Sequence, residues 1–212
     1  MGLFRKAAES GDEVGMDQIG VMYAAGRGGL PQDDTQAVIW FRKAADANNT
    51  TAMRDLGNMY MQGRGGLSKD EVQALFWFRK AAEDGDPPAM SNLGAMYASG
   101  LGGLSEDYAQ ALTWFRRAAE AGDPSGMANF GMMYVRGLGG LSKDESQALI
   151  WFRKAAEAGN VMGMASLGKM YEDGLGGLSK DNSQALLWYH KAAAGPHPPA
   201  LDEAIKRLER KP

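Results

Sequence analysis

Five tryptophans, Trp40, Trp77, Trp114, Trp151 and Trp188, stand 37 residues apart, and Tyr23, Tyr60, Tyr97, Tyr134 and Tyr171 keep the same step. The stretch from Met90 to Gly122 is the clearest copy of the repeated unit, with Leu93, Gly94, Tyr97, Gly100, Gly102, Gly103, Asp107, Gln110, Trp114, Phe115, Ala118 and Ala119. A fixed period of roughly 20 to 50 residues marks a solenoid, because one such unit cannot bury its apolar face alone and must stack on its neighbours. This spacing restricts the chain to an elongated array and places function in the positions the repeat leaves free. The units are 12–48, 49–85, 86–122, 123–159 and 160–196, within one repeat domain spanning 1–212.

Each unit reads as two helices. In the second, Asn48 and Asn49 stop one helix and cap the next, and later copies use Gly85-Asp86-Pro87 and Gly122-Asp123-Pro124. Glycine takes the left-handed position after a helix, Asp caps the following amides, and Pro fits a first turn. The first helix of the unit, helix A, carries Met53, Leu56, Gly57 and Tyr60 on one stripe and ends at Gly63. After the loop Gly63-Arg64-Gly65-Gly66-Leu67, Asp70 with Gln73 forms a capping box, repeated as Asp33/Gln36, Asp107/Gln110, Asp144/Gln147 and Asp181/Gln184. The second helix, helix B, is expected to bury Ala74, Trp77, Phe78, Ala81 and Ala82. No stretch alternates with period two, so the chain is all-α.

The ends depart from the unit. Leu3-Phe4-Arg5-Lys6-Ala7-Ala8-Glu9 matches Trp40 through Asp46, so residues 1–11 are a partial repeat helix. They are either a shortened N-terminal cap or, the favoured reading, the continuation of upstream repeats and any export signal that precede this chain. Beyond Pro199, Leu201, Ala204, Ile205 and Leu208 recur at helical spacing among charged residues, which makes 197–212 a capping helix with one apolar and one polar face.

Composition narrows the function classes. A net charge of −3 and a pI near 5.5 give no overall attraction to nucleic acid or anionic membrane, and no apolar run reaches the roughly 18 residues of a span. With no cysteine, disulfides, thiolate metal sites and cysteine nucleophiles are excluded.

The pattern Leu-Gly, Tyr, Gly-x-Gly-Gly, Asp, Gln-Ala, Trp-Phe-x-Lys-Ala-Ala, in register over about residues 3 to 195, resembles the Sel-one-like repeat, a relative of the tetratricopeptide repeat. The resemblance implies a right-handed α-solenoid of stacked antiparallel helix hairpins with helix A on the concave side. It implies a non-enzymatic, often bacterial and exported adaptor that binds a partner protein or peptide without a cofactor. The chain itself leaves the compartment open. The absence of cysteine sets it apart from the disulfide-bridged branch of that family.

Several local signals have plain explanations. The Gly-rich loops follow helices rather than strands, so they read as turns and not phosphate cradles. The tryptophan ladder reads as core. Arg42-Lys43, Arg79-Lys80, Arg116-Arg117 and Arg153-Lys154 form a basic stripe whose charge is expected to pair with Asp46, Glu83, Glu120 and Glu157. Ser166 and Lys169 form a Ser-x-x-Lys pattern without the Ser-Asp-Asn and Lys-Thr-Gly companions of a β-lactamase-type enzyme, the remote alternative. His190 and His197 have no third metal ligand near in sequence.

What remains is a set of A-helix columns that vary from unit to unit. Mapped on the tetratricopeptide groove, the partner-binding candidates are Arg54, Asn58, Met61, Asn92, Ala95, Asn129, Met132, Val135, Arg136, Met162 and Lys169, with Asp17, Val21, Ala24 and Gln62 among the same columns. Ten of the 14 methionines occupy two repeat columns headed by Met16 and Met22. Apart from Met1, the others are Met61, Met132 and Met162, and flexible thioethers suit a surface that accepts a peptide. Arg54, Asn58 and Asn92 match three places of the tetratricopeptide carboxylate clamp, while Ser125 and Asn129 replace its last two cations. A monomer is expected. The alternative is a structural segment that stacks end to end through the open N-terminal helix.

Overall fold

The computed structural model describes residues 2–210. Met1 and residues 211–212, which the sequence reading placed in the partial repeat and the capping helix, lie outside the described residues. Among the described residues there are twelve helices and no strand. They fall into two compact units, Met1–Asp107 and Tyr108–Pro212, taken here in turn.

The first unit holds α1 (Gly2–Glu9), α2 (Glu13–Ala25), α3 (Asp34–Asp46), α4 (Thr50–Gln62), α5 (Glu71–Glu83) and α6 (Pro87–Ser99). α2 packs on α3 and α4 on α5 as helical hairpins, and α3 on α4 and α5 on α6 join successive repeats. Stop and start signals act as the sequence implies. Asn48 is the only described non-glycine residue with positive φ, at 66°, and Asn49 accepts the amide of Ala52 at 2.9 Å. Gly63 closes α4 in the left-handed region at φ 65°.

The capping boxes at Asp33 and Asp70 form only by half. Asp33 and Asp70 each accept the amide of the glutamine three residues on, at 3.0 and 2.9 Å, yet neither glutamine side chain bonds back to its aspartate's amide. Those amides are already spent: Asp33 donates to the Tyr23 carbonyl at 2.9 Å and Asp70 to that of Tyr60 at 3.0 Å. The bond folds each loop back on the A helix it leaves. Gly65 sits where a β-carbon would lie 2.5 Å from the Asp34 carbonyl oxygen, so the loop glycine serves close packing between repeats.

The hairpin core is a glycine against a ring. A β-carbon on Gly57 would meet Phe78 at 2.7 Å, and Gly20 stands in the same relation to Phe41 at 2.6 Å. Met53, Leu56, Ala74, Phe78, Ala81 and Ala82 are buried around this contact, as the stripes require. At α1 the arrangement stops: Phe4 is 40% exposed and Leu3 85%, whereas Phe41, one period on from Phe4, is 2% exposed.

The second unit holds α7 (Tyr108–Glu120), α8 (Pro124–Arg136), α9 (Glu145–Glu157), α10 (Val161–Asp173), α11 (Asn182–Ala192) and α12 (Pro199–Glu209). α8 with α9 and α10 with α11 repeat the hairpin, and α8 also touches α10. Phe152, Leu167 and Met170 centre one core, with Met132 and Val135 packed on its edge. The capping helix α12 lays Leu201, Ile205 and Leu208 on Ala185, Tyr189 and Ala192. It is also tied by charge: Arg207 donates to both oxygens of Glu172 at 2.7 and 2.9 Å, and Tyr189 donates to the same carboxylate at 2.9 Å. Burial and that bond push the Tyr189 phenol well above its usual range.

Candidate functional site

The A-helix columns line an open cleft in each unit. In the first, Val21, Ala24 and Ala25 of α2 face Asp55, Asn58, Met59 and Gln62 of α4, with Phe41 and Arg64, around about 310 Å³. The spacing explains the walls, since residues three and four apart share a helix face. Asp17, Val21 and Ala24 lie on one face of α2, and Asp55, Asn58 and Gln62 on one face of α4.

Charge at this cleft is unbalanced. Arg54 reaches Asp55 at 3.2 Å and Asp86 at 3.1 Å, and Arg64 is held bidentate by Asp34 at 2.9 and 2.8 Å. Asp17 is 3% exposed; one oxygen accepts from the Gln18 amide at 3.3 Å and the other has no partner. Burial, and then the neighbouring charge of Asp55, push the Asp17 carboxyl up to about 6. Burial also raises the Asp55 carboxyl, against the pull of Arg54.

Arg54, which matches one place of the carboxylate clamp in the sequence, is already ion-paired. Its guanidinium is neutralised from two sides, so it is in no position to hold a terminal carboxylate. Asn58 stands on the cleft wall, whereas Met61 is half-buried beside it, and Asn92 and Ala95 on α6 line none of the clefts described here.

In the second unit Met132, Val135 and Lys169 converge, with Glu145, Phe152, Ser166, Met170 and Leu175, on a cleft of about 120 Å³. Met162 and Lys169 share an adjoining shallower one of about 480 Å³ with Val161, Ala165, Ser166 and Pro198. Lys169 is held by Asp173 at 3.1 Å and Glu172 at 3.7 Å. Asn129 is half-buried on α8 away from these walls, and Arg136 is exposed at the end of the same helix.

The basic stripe is corrected. Among the described residues, Asp46, Glu83, Glu120 and Glu157 make no ion pair with it. Instead each B helix folds a cation over its tryptophan: Lys43 on Trp40 and Arg117 on Trp114 at 4.4 Å, Lys154 on Trp151 at 4.3 Å, and Lys191 on Trp188 at 4.2 Å. Lys80 lies 5.9 Å from Trp77. Two of the other cations reach the tyrosine of the next repeat: Arg42 donates to the Tyr60 hydroxyl at 2.6 Å and Arg79 to that of Tyr97 at 3.4 Å. A ring three residues back on the same helix face, partly open to solvent, attracts a cation about as strongly as an exposed carboxylate does, and here it holds the cation.

Two features escaped the sequence reading. Asp55 is one, although stepping back 37 residues from Asn92 reaches it. The other is an exposed apolar column on the B helices, Ile39, Phe76, Ile150 and Leu187, again at the repeat period. Among the described residues no three metal-binding side chains converge, and no helix is long and apolar enough to cross a membrane.

The Sel1 repeat profile matches residues 1–12, 14–49, 50–86, 87–123, 124–160 and 161–197. A solved Sel1 repeat protein from Oxalobacter formigenes is 38% identical over all of this chain and 86% of its own length, with a TM-score of 0.83. A protective antigen of uropathogenic Escherichia coli strains displaying an SLR fold is 32% identical over 97% of this chain, TM-score 0.75; the match spans only 47% of that antigen. An immunity protein from Pseudomonas aeruginosa shares the fold at 21% identity, over 92% of this chain and 79% of its own, TM-score 0.61. No curated protein matches the chain. Six consecutive profile matches and the 38% relative agree with the helices and their spacing: the chain belongs to the Sel1 repeat family.

Proposed function

We propose that this chain is a scaffold that holds a partner protein through the A-helix face, and that the Met132, Val135 and Lys169 cleft of the second unit receives an apolar side chain of that partner. Sel1 repeat proteins are generally protein-interaction scaffolds. The single observation that supports the finer reading is the convergence of unit-variable residues on one cleft, Met132 and Val135 from α8 and Lys169 from α10, against the buried Phe152 and Met170. An apolar pocket with a few polar groups at its rim suits a side-chain anchor.

Selection from a random peptide library on the wild-type chain, followed by titration against Met132→Glu and Arg136→Glu, tests this. The selected peptides are expected to lose about tenfold or more in affinity for Met132→Glu, with helical content unchanged. Arg136→Glu, which leaves the core untouched, is expected to weaken them less. Peptides that bind both variants as they bind the wild type would remove the second-unit cleft from the function.

A second reading is favoured by the exposed Leu3 and Phe4 of α1, in columns the later repeats cover. They would support end-to-end stacking of copies. Light scattering that shows mass rising with concentration, abolished by Phe4→Glu, would establish it, and a constant monomer mass would dismiss it.

A further inference from the structure

We propose that the capping helix α12 is a proton-operated latch, held shut by the protonated rings of His190 and His197 and loosened when they lose their protons. In closing it fixes one wall of the second-unit cleft, a consequence that rests on the protein-binding reading above.

The two rings are the only histidines of the chain, and both meet α12. His197 Nε2 stands 3.1 Å from Asp202 in the first turn of that helix, and His190 Nε2, on α11, stands 3.4 Å from Glu209, its last residue. The start of α12 depends on the first contact. Pro198 occupies its N-cap and supplies no side-chain acceptor, whereas α8, α9, α10 and α11 each begin on an Asp or Asn that accepts an amide.

The geometry at His197 requires the charged ring. Its Nδ1 lies 2.7 Å from the Gly195 carbonyl oxygen while its Nε2 faces the Asp202 carboxylate. Carbonyl and carboxylate only accept. A neutral imidazole has one N–H and satisfies one of them, whereas imidazolium donates to both. The Gly195 carbonyl, and then Asp202, hold this imidazole above its usual range. A ring whose pKa rises on folding contributes stability that is complete below the unfolded value of about 6.5 and is lost as pH climbs through the folded one. The latch is therefore shut in mild acid and loosened in mild alkali.

The neighbouring charges leave the histidines this role. From α10, Glu172 is committed to Arg207 of α12 at 2.7 Å and to Tyr189 of α11 at 2.9 Å, with Lys169 3.7 Å away. Lys191 of α11 lies over Trp188 at 4.2 Å. Among the described residues no further ion pair reaches either ring. Arg207 carries its charge at every pH in question and keeps the last turn of α12 in place, so the start of the helix, where His197 holds it, loosens furthest.

That start is where the cleft is reached. Pro198, next to His197, lines the shallower second-unit cleft with Met162, Ser166 and Lys169, and the last two also line the cleft of Met132 and Val135.

Amide exchange of α12, expressed as protection factors so that its intrinsic pH dependence cancels, is measured at about pH 6 and about pH 8. Wild-type protection is expected to fall about threefold to tenfold at the higher pH, in α12 alone. The double variant His190→Gln, His197→Gln is expected to show equal protection at both, at the wild-type alkaline level. Asp202→Asn, which keeps both rings, is expected to retain only the smaller part of the dependence. Histidine-free library peptides that bind through Met132 are expected to bind the wild type about threefold more weakly at the higher pH, and the double variant equally at both. Equal wild-type protection in acid and alkali, or a dependence that survives the double variant, would overturn the latch. A latch that switches while peptide affinity stays constant would overturn its hold on the cleft. If no peptide depends on Met132, the scaffold reading fails and takes that hold with it, while exchange still decides the latch.

Discussion

Replacing Asp17 by asparagine should make the protein more stable near neutral pH. The native state lifts this carboxyl from 3.8 to about 6 through burial and the adjacent Asp55 charge, with Arg54 and the Gln18 amide pulling the other way. Between those values the folded chain keeps a proton that the unfolded chain has released, so stability falls as pH rises across that window. Below the lower value both states are protonated and the loss vanishes. At about 1.4 kcal/mol per unit the full shift would correspond to about 3 kcal/mol, and the nearby open cleft screens it to about 1–2 kcal/mol. Asparagine keeps the shape and drops the charge. Urea midpoints followed by circular dichroism should therefore favour Asp17→Asn by that amount at about pH 7.5, with the gain gone at about pH 3. A variant that is no more stable at neutral pH, or whose gain does not depend on pH, would refute the reasoning.

Other outcomes follow from particular contacts. Gly57→Ala would set a β-carbon 2.7 Å from the buried Phe78 ring. A net loss of about 1–2 kcal/mol in thermal or urea unfolding is expected after the helix-propensity gain is subtracted, and Phe78→Leu in the same chain should recover much of it. Arg207→Ala removes the ion pair in which one guanidinium nitrogen donates to both oxygens of Glu172, whose side chain is 8% exposed. With the arginine half-exposed, about 1 kcal/mol is expected, visible as faster amide exchange confined to α12; unchanged exchange there would show that Leu201, Ile205 and Leu208 hold the cap alone. Asn49→Ala should cost about 1 kcal/mol by removing the cap on the Ala52 amide, measured by thermal unfolding against the wild type.

The sequence was most informative where structure is set within one helix. Tyr, Gly and Trp columns at a constant step dictated hairpins, Asn48 and the loop glycines declared their positive φ, and the spacing of Met53, Leu56 and Gly57 named the buried face before any contact was known. It was least informative where a side chain chooses between neighbours brought together by stacking. Arg54 and Asp86 lie 32 residues apart, and nothing in either residue's own helix announces that the clamp arginine is neutralised by the next cap. Gln36 and Gln73 leave their capping boxes incomplete for a similar reason, since the amides of Asp33 and Asp70 donate to a tyrosine carbonyl across the loop. Charges at i and i+3 or i+4 favour pairing of the lysines with the acidic residues that follow them. The tryptophan three residues back on the same face was an equally near partner and took them.

The proposed scaffold recognises its partner through the A-helix face. A photo-crosslinking amino acid placed at position 132 in one chain and at position 76 in another, each mixed with the same library-selected peptide, measures this directly. A single adduct from position 132, competed by unlabelled peptide, with none from position 76, is the predicted result. An adduct from position 76 and none from 132 would move recognition to the exposed B-helix face that carries Ile39 and Phe76 in the first unit, and away from the A helices.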